Sequence, residues 1–202
     1  MNIIGVILVI FFAVQIAVKS GLSRIEQQPY KVLAVFRQFE IRNYPESLIA
    51  QTVCTGNQYQ AVARTGFNKV AGVIFGKNSA GKKIPMTAPV RIEFGSEFSK
   101  VEFVMPLAYS ASTLPKSLDA SVQIKTWPGG NYAAIRFGGF PNDQKIRKAI
   151  EALKAELTVS GISFKDEPVY LGYNPPYQIM FRRNEVIIPV EWKEAEQKSI
   201  PG

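Results

Sequence analysis

The chain has 202 residues, 47% hydrophobic and 20% charged, which is long enough for one globular domain and too apolar for a disordered one. Its formal charge is +8, from 24 Lys and Arg against 16 Asp and Glu, and a basic surface favours anionic partners without choosing among them. One cysteine and no histidine exclude an internal disulfide, a cysteine cluster for zinc or iron–sulfur, and Ser–His or Cys–His nucleophilic pairs.

In chain order, residues 1–22 come first as a separate object. Ile3 to Val18 is apolar except for Gln15, and as a helix it spans about 24 Å against a hydrocarbon core of about 30 Å. Lys19 can extend it by snorkelling. The segment has no basic n-region and no small-x-small cleavage site, so an uncleaved membrane anchor is expected ahead of a signal peptide. Lys19 and Arg24 after it favour a cytoplasmic domain by the positive-inside rule, with export left open. A polar linker over 23–27 follows.

The domain is expected over 28–192, with a polar tail over 193–202. "YKVLAVF", "FEIRNYP" and "SLIAQTV" read as strands. Cys54 ends the third as a small buried filler or, alternatively, a sulfur ligand. Tyr59, Val62, Ala63, Phe67, Val70, Ala71 and Ile74 recur at three and four, an amphipathic helix with Asn57 as its cap and Gly76 as its stop.

"KKIPMTAPV" then puts two prolines into an alternating pattern. Ile84, Met86, Ala88, Val90, Ile92 and Phe94 share one face; Lys83, Pro85, Thr87, Pro89, Arg91 and Glu93 share the other. Pro85 and Pro89 have the same parity, so one edge loses two ladder donors. The segment is expected to be an edge strand or locally peeled from its partner, and the gap to be either a plain edge or the rim of a site. "VEFVMP" is the next strand.

The second half repeats this order. "SVQIKTWP", a "GG" turn and "NYAAIRF" form a hairpin, and a helix follows from a cap near Asn142 to a stop near Gly161. "PVYLGY", "YQIMF" and "EVIIPVEW" close the chain as strands, the last two joined through a turn at Arg182–Arg183–Asn184. "IRNYP" at 41–45 and "IKTWP" at 124–128 match as apolar, basic, polar, aromatic, proline. With the same element order around each, a duplicated ββαββ unit is the expected organisation. The fold class is α+β: a curved or closed antiparallel sheet with two helices packed on it.

Four segments, "PYKVLAVFRQFEIRNYP", "KKIPMTAPV", "VEFVMP" and "YNPPYQIMFRRNEVIIPV", resemble the SOUL haem-binding protein family in kind and order. The resemblance covers roughly Gln28 to Trp192. It implies a distorted antiparallel β-barrel of two pseudo-symmetric halves with two long helices, and binding of haem or a related tetrapyrrole.

A tetrapyrrole needs an apolar cleft and cations for its two carboxylates. Val62, Phe67, Val70, Met86 and Ala88 offer the wall; Arg64 and Lys69 offer the cations, with Lys82 and Lys83 as further choices. Each has a plainer reading: helical-period apolar residues as core, the cations as a solvated helix face. Some family members ligate iron through histidine, and this chain has none. Any iron contact must then come from Met, with Met86 the first choice, or from Tyr, Cys or Lys; non-covalent binding of the porphyrin ring, without an assigned metal ligand, is the expected mode.

Two other function classes stay open. Glu40, Glu46 or Glu185, if buried in a pocket, would suit an enzyme. A membrane-tethered, partner-binding scaffold without a small ligand fits the anchor and the basic surface. Nucleic-acid binding is not expected: the basic residues are dispersed, with only Lys82–Lys83 and Arg182–Arg183 adjacent, and no zinc-finger spacing or basic helix occurs.

Overall fold

The computed structural model describes residues 5–7, 14–15 and 25–193. The segment expected as a membrane anchor, and the tail beyond residue 193, lie mostly outside the described residues. Among the described residues no helix is long and apolar enough to cross a membrane.

Strands β1 (Glu26–Gln27), β2 (Lys31–Val35), β3 (Phe39–Tyr44) and β4 (Ser47–Thr55) lead into helix α1 (Tyr59–Ile74). Then come β5 (Thr87–Ala88), β6 (Val90–Glu93) and β7 (Phe98–Val104). The second half runs β8 (Val122–Trp127), β9 (Gly130–Phe137), α2 (Asp143–Val159), β10 (Val169–Gly172) and β11 (Asn184–Pro189). Nine strands form one sheet in the order β2-β3-β9-β11-β10-β6-β7-β4-β8, antiparallel throughout.

That order carries the duplication. Outward from the centre, β6-β7-β4 on one side matches β10-β11-β9 on the other. The next strand out is exchanged: β8, which opens the second half, lies on β4, and β3, its counterpart in the first half, lies on β9. Helix α1 packs on β4, β7 and β8, and α2 packs on the corresponding β9 and β11. The halves are therefore interlocked rather than side by side.

The sheet is open at its edges, β2 and β8, but strongly curled. β3 and β8 stand seven steps apart, roughly 34 Å on a flat sheet at ~4.8 Å per step. Yet the Tyr44 and Trp127 rings lie 5.9 Å apart, centroid to centroid. The barrel expected from the resemblance is thus a partly closed one. Its outer face carries the helices and the main core, including Val62, Val70, Leu153, Val101, Phe103 and Val186. Its inner face carries a second cluster of Tyr44, Tyr132, Ala134, Val169, Leu171 and Ile187.

Several local expectations change, the β8–β9 hairpin first: β8 pairs with β4, and β9 with β3 and β11. Glu26 and Gln27, placed in the linker by the sequence, pair with Thr87 and Ala88, and the Gln28 N–H donates to the Ala88 carbonyl at 2.8 Å. The proline segment is peeled, as one alternative held, but it does not become an edge. Residues 84–86 form no strand, and β6 runs at the centre of the sheet between β10 and β7. "YQIMF" is not a strand but part of the irregular loop between β10 and β11, and Arg182–Arg183–Asn184 is not its turn: Asn184 begins β11. Pro175 and Pro176 lack the N–H a ladder needs, and Arg182 holds the loop, donating to the carbonyls of Asn174, Pro175 and Gln178.

Helix α1 is not capped by Asn57. Gln58 occupies the cap position without a side-chain bond, and the Tyr59 N–H donates to Asp143 Oδ1 of the other helix at 2.7 Å. Asn142 caps α2 as expected, accepting from the Lys145 N–H at 2.9 Å.

Candidate functional site

The residues chosen from the sequence divide by accessibility. Val62 and Val70 are 1% and 0% exposed, wedged between α1 and the sheet, and Ala88 is buried in β5. These three are wall and core. Phe67 is half-buried, its ring 5.3 Å from that of Phe103, and Met86 is half-buried against the same core. Arg64 is exposed and Lys69 half-exposed on α1. Of the seven, Phe67, Met86, Arg64 and Lys69 are therefore accessible and the other three are not.

Could the chain ligate an iron? Burial pushes the Cys54 thiol up, Lys69 only partly opposing, so it stays a protonated core residue. Burial likewise raises the Tyr59 and Tyr170 phenols, and Tyr44 is pushed up to about 12 despite Arg42 beside it. None of these supplies an anionic ligand near neutral pH. Among the described residues no cluster of three Cys, Asp or Glu could hold a metal ion. The Met86 thioether, half-buried against the core, is a neutral sulfur.

The inner face of the sheet is more elaborate than its sequence suggests. Arg91, 2% exposed, stacks on Trp127 with its guanidinium carbon 3.9 Å from the ring centroid and donates to Glu102 at 3.0 Å. Gln51 donates to the other Glu102 oxygen at 2.7 Å and accepts from Lys125 at 2.8 Å. Beside this group, Arg42 stacks on Tyr30 and Arg183 on Tyr173, at 4.2 and 3.9 Å. Both donate to Glu185, which is fully buried. Such desolvated pairs cost free energy to bury and hold only because their hydrogen bonds are complete.

At the rim of this face lies a cleft of about 290 Å³, lined by Tyr30, Phe36, Arg37, Glu40, Arg42, Ala134, Arg136, Arg183 and Glu185 among others. Burial alone would raise the Glu185 carboxyl, but the bonds and charges of Arg42 and Arg183 outweigh it and hold it below the ordinary range. It is a fixed anion, not a proton donor or acceptor. Glu40 is bound to Arg42 and Glu46 is exposed.

Sequence reasoning passed over Arg42, Arg91, Glu102 and the inner-face aromatics. A signal existed: basic-x-aromatic recurs as Arg42–Tyr44 and Lys125–Trp127, and a period of two puts each pair on one face. Polar residues at alternate positions ordinarily mark a solvent-facing side. A curled sheet buries both faces.

The comparisons agree with this architecture. A family model described as "SOUL heme-binding protein" matches residues 25–189. Heme-binding protein 2 from Homo sapiens is 33% identical over 156 residues, covering 73% of this chain and 76% of that protein. Its Mus musculus counterpart is 30% identical over 155 residues, with the same coverage. Among solved structures, the EcmrR C-terminal domain superposes with a TM-score of 0.60 at 12% identity, covering 76% of this chain and 97% of that one, a likeness of fold alone. The chain belongs to the SOUL haem-binding protein family.

Proposed function

We propose that the chain binds haem or a related planar tetrapyrrole without catalysis, gripping the ring and its carboxylates rather than ligating the iron. Family membership across nearly the whole domain is the observation that carries this reading. The absence of histidine and the protonated state of the buried thiol and phenols turn it toward ring binding. Phe67 and Met86 offer apolar surface to the ring; Arg64 and Lys69 offer cations to its carboxylates. Val62, Val70 and Ala88 back this surface from the core.

The domain is held at a membrane by its N-terminal segment. Gln15, the one polar residue between Ile3 and Val18, accepts from the Ile179 and Met180 N–H groups at 3.0 and 3.3 Å. The same loop exposes Tyr177, Ile179 and Phe181, with Phe140 nearby through Arg182. An apolar tip beside an apolar segment suits a lipid surface. Failure of the full chain to float with phospholipid vesicles would remove this part of the reading.

The ligand is tested by absorbance titration of the full chain with haemin and with metal-free protoporphyrin. Saturable binding of both near one-to-one, with affinities within about threefold, is expected. Met86→Ala then weakens both alike. If haemin alone binds and Met86→Ala abolishes it, iron ligation replaces ring binding; if neither binds, the tetrapyrrole reading fails and the exposed 177–181 tip favours a partner-binding scaffold.

A further inference from the structure

The charges around the rim cleft do not balance, and the hydrogen bonds show why. Glu185 Oε2 accepts from Arg42 Nη1 at 2.7 Å and from the Tyr173 hydroxyl at 2.9 Å. Its Oε1 accepts from Arg183 Nε at 2.8 Å and from Arg42 Nη2 at 3.4 Å. A carboxylate has about four lone-pair sites, so Glu185 is saturated. Glu40 is engaged by Arg42 Nε at 2.7 Å.

Arg136 stands opposite Glu185 in the β9–β11 ladder, the position from which a cross-strand ion pair would form. It finds no share of that carboxylate and makes no ion pair among the described residues; it is exposed at the cleft. Arg37, in the turn between β2 and β3, also lines the cleft, exposed and without an ion pair. Two guanidiniums thus border one cavity with no counter-charge, while Val35, Phe36, Tyr30 and Ala134 supply apolar wall.

We propose that this cleft is a second binding site, for a small aromatic carboxylate, held by Arg136 and Arg37 at its carboxylate and by Phe36 and Tyr30 along its ring. A planar guanidinium matches a carboxylate in a two-bond fork. The volume of about 290 Å³ lies at the low end for small-molecule pockets and is too small for a tetrapyrrole. The site lies on the inner face of the sheet, and the surface proposed for the porphyrin lies on the helix-bearing outer face. It therefore goes beyond the tetrapyrrole reading and does not depend on it.

The test is calorimetric titration of the full chain with sodium benzoate, with benzylamine and inorganic phosphate as comparison probes. Benzoate is expected to bind saturably at one site, weakened about tenfold or more in Arg136→Gln and less in Arg37→Gln. Both residues are exposed, so these variants keep the fold, and their protoporphyrin titrations stay as in the parent chain. No saturable benzoate binding, equal binding of benzylamine or of phosphate, or indifference to Arg136→Gln overturns the proposal. Loss of protoporphyrin binding together with benzoate binding would overturn the separation of the two sites.

Discussion

Glu185 sits where two arginines, a tyrosine hydroxyl and the cleft floor converge, with no exposure to solvent. Replacing it by glutamine leaves the half-buried Arg183 without a counter-charge and the buried Arg42 with Glu40 alone. A loss of about 3–5 kcal/mol in urea unfolding at neutral pH is expected. The acid limb follows from the direction of its shift. Because the native carboxyl is held below its ordinary value, its contribution is fully present above about pH 4.5 and is lost as pH falls through the native value. Wild type should therefore lose stability more steeply in acid than Glu185→Gln. At the alkaline end, Tyr44 is raised from 10.0 to about 12 and Tyr170 further. The unfolded chain then ionises first, so stability holds below pH 10 and declines as pH rises toward 12; Tyr44→Phe flattens that decline.

Helix α1 meets the sheet at Gly66, where a methyl group would overlap the side chain of Val101, itself fully buried in β7. Alanine normally gains about 1 kcal/mol over glycine inside a helix. Here overpacking of a side chain with nowhere to move costs about 1–3 kcal/mol, so Gly66→Ala is expected to lower stability by up to about 2 kcal/mol. A melting temperature above wild type would refute the close contact. The helices themselves were legible because their apolar residues recur at three and four, and α2 also announces both ends with Asn142 and Gly161. The start of α1 was not legible. Its first N–H is satisfied by Asp143, 84 residues away, and no local pattern encodes a cap supplied by another helix. "YQIMF" has strand composition, yet neighbouring prolines and the grip of Arg182 on three carbonyls give it another shape. The peeled segment before β6 was half legible: proline chemistry removes donors, but it does not say that the chain then re-enters at the sheet centre.

At the scale of the molecule, each half lends one strand to the other, β3 to β9 and β8 to β4. Separated at Ser117–Leu118, neither piece has a complete sheet or a closed core, so neither should unfold cooperatively alone. Mixing the two should restore a cooperative transition by circular dichroism. A half that folds by itself would contradict the exchange of β3 and β8. The duplication was visible in "IRNYP" and "IKTWP"; the exchange was not, because matching motifs report similar local structure and not the partner each strand chooses. The candidate site was legible to a similar extent. Phe67, Met86, Arg64 and Lys69 remain accessible, whereas the inner-face arginines emerged only once curvature brought Trp127 to Tyr44 and turned a polar face inward. The exchange also bears on synthesis. β4 is nine residues long, and its outer edge waits from Gln51 until Gln123 has left the ribosome, on the order of ten seconds at ordinary translation rates. During that interval the nascent chain shows a long, largely apolar strand with a free edge, the template from which aggregation starts. This protein should therefore depend on holding chaperones while it is being made, and cease to need them once β8 docks.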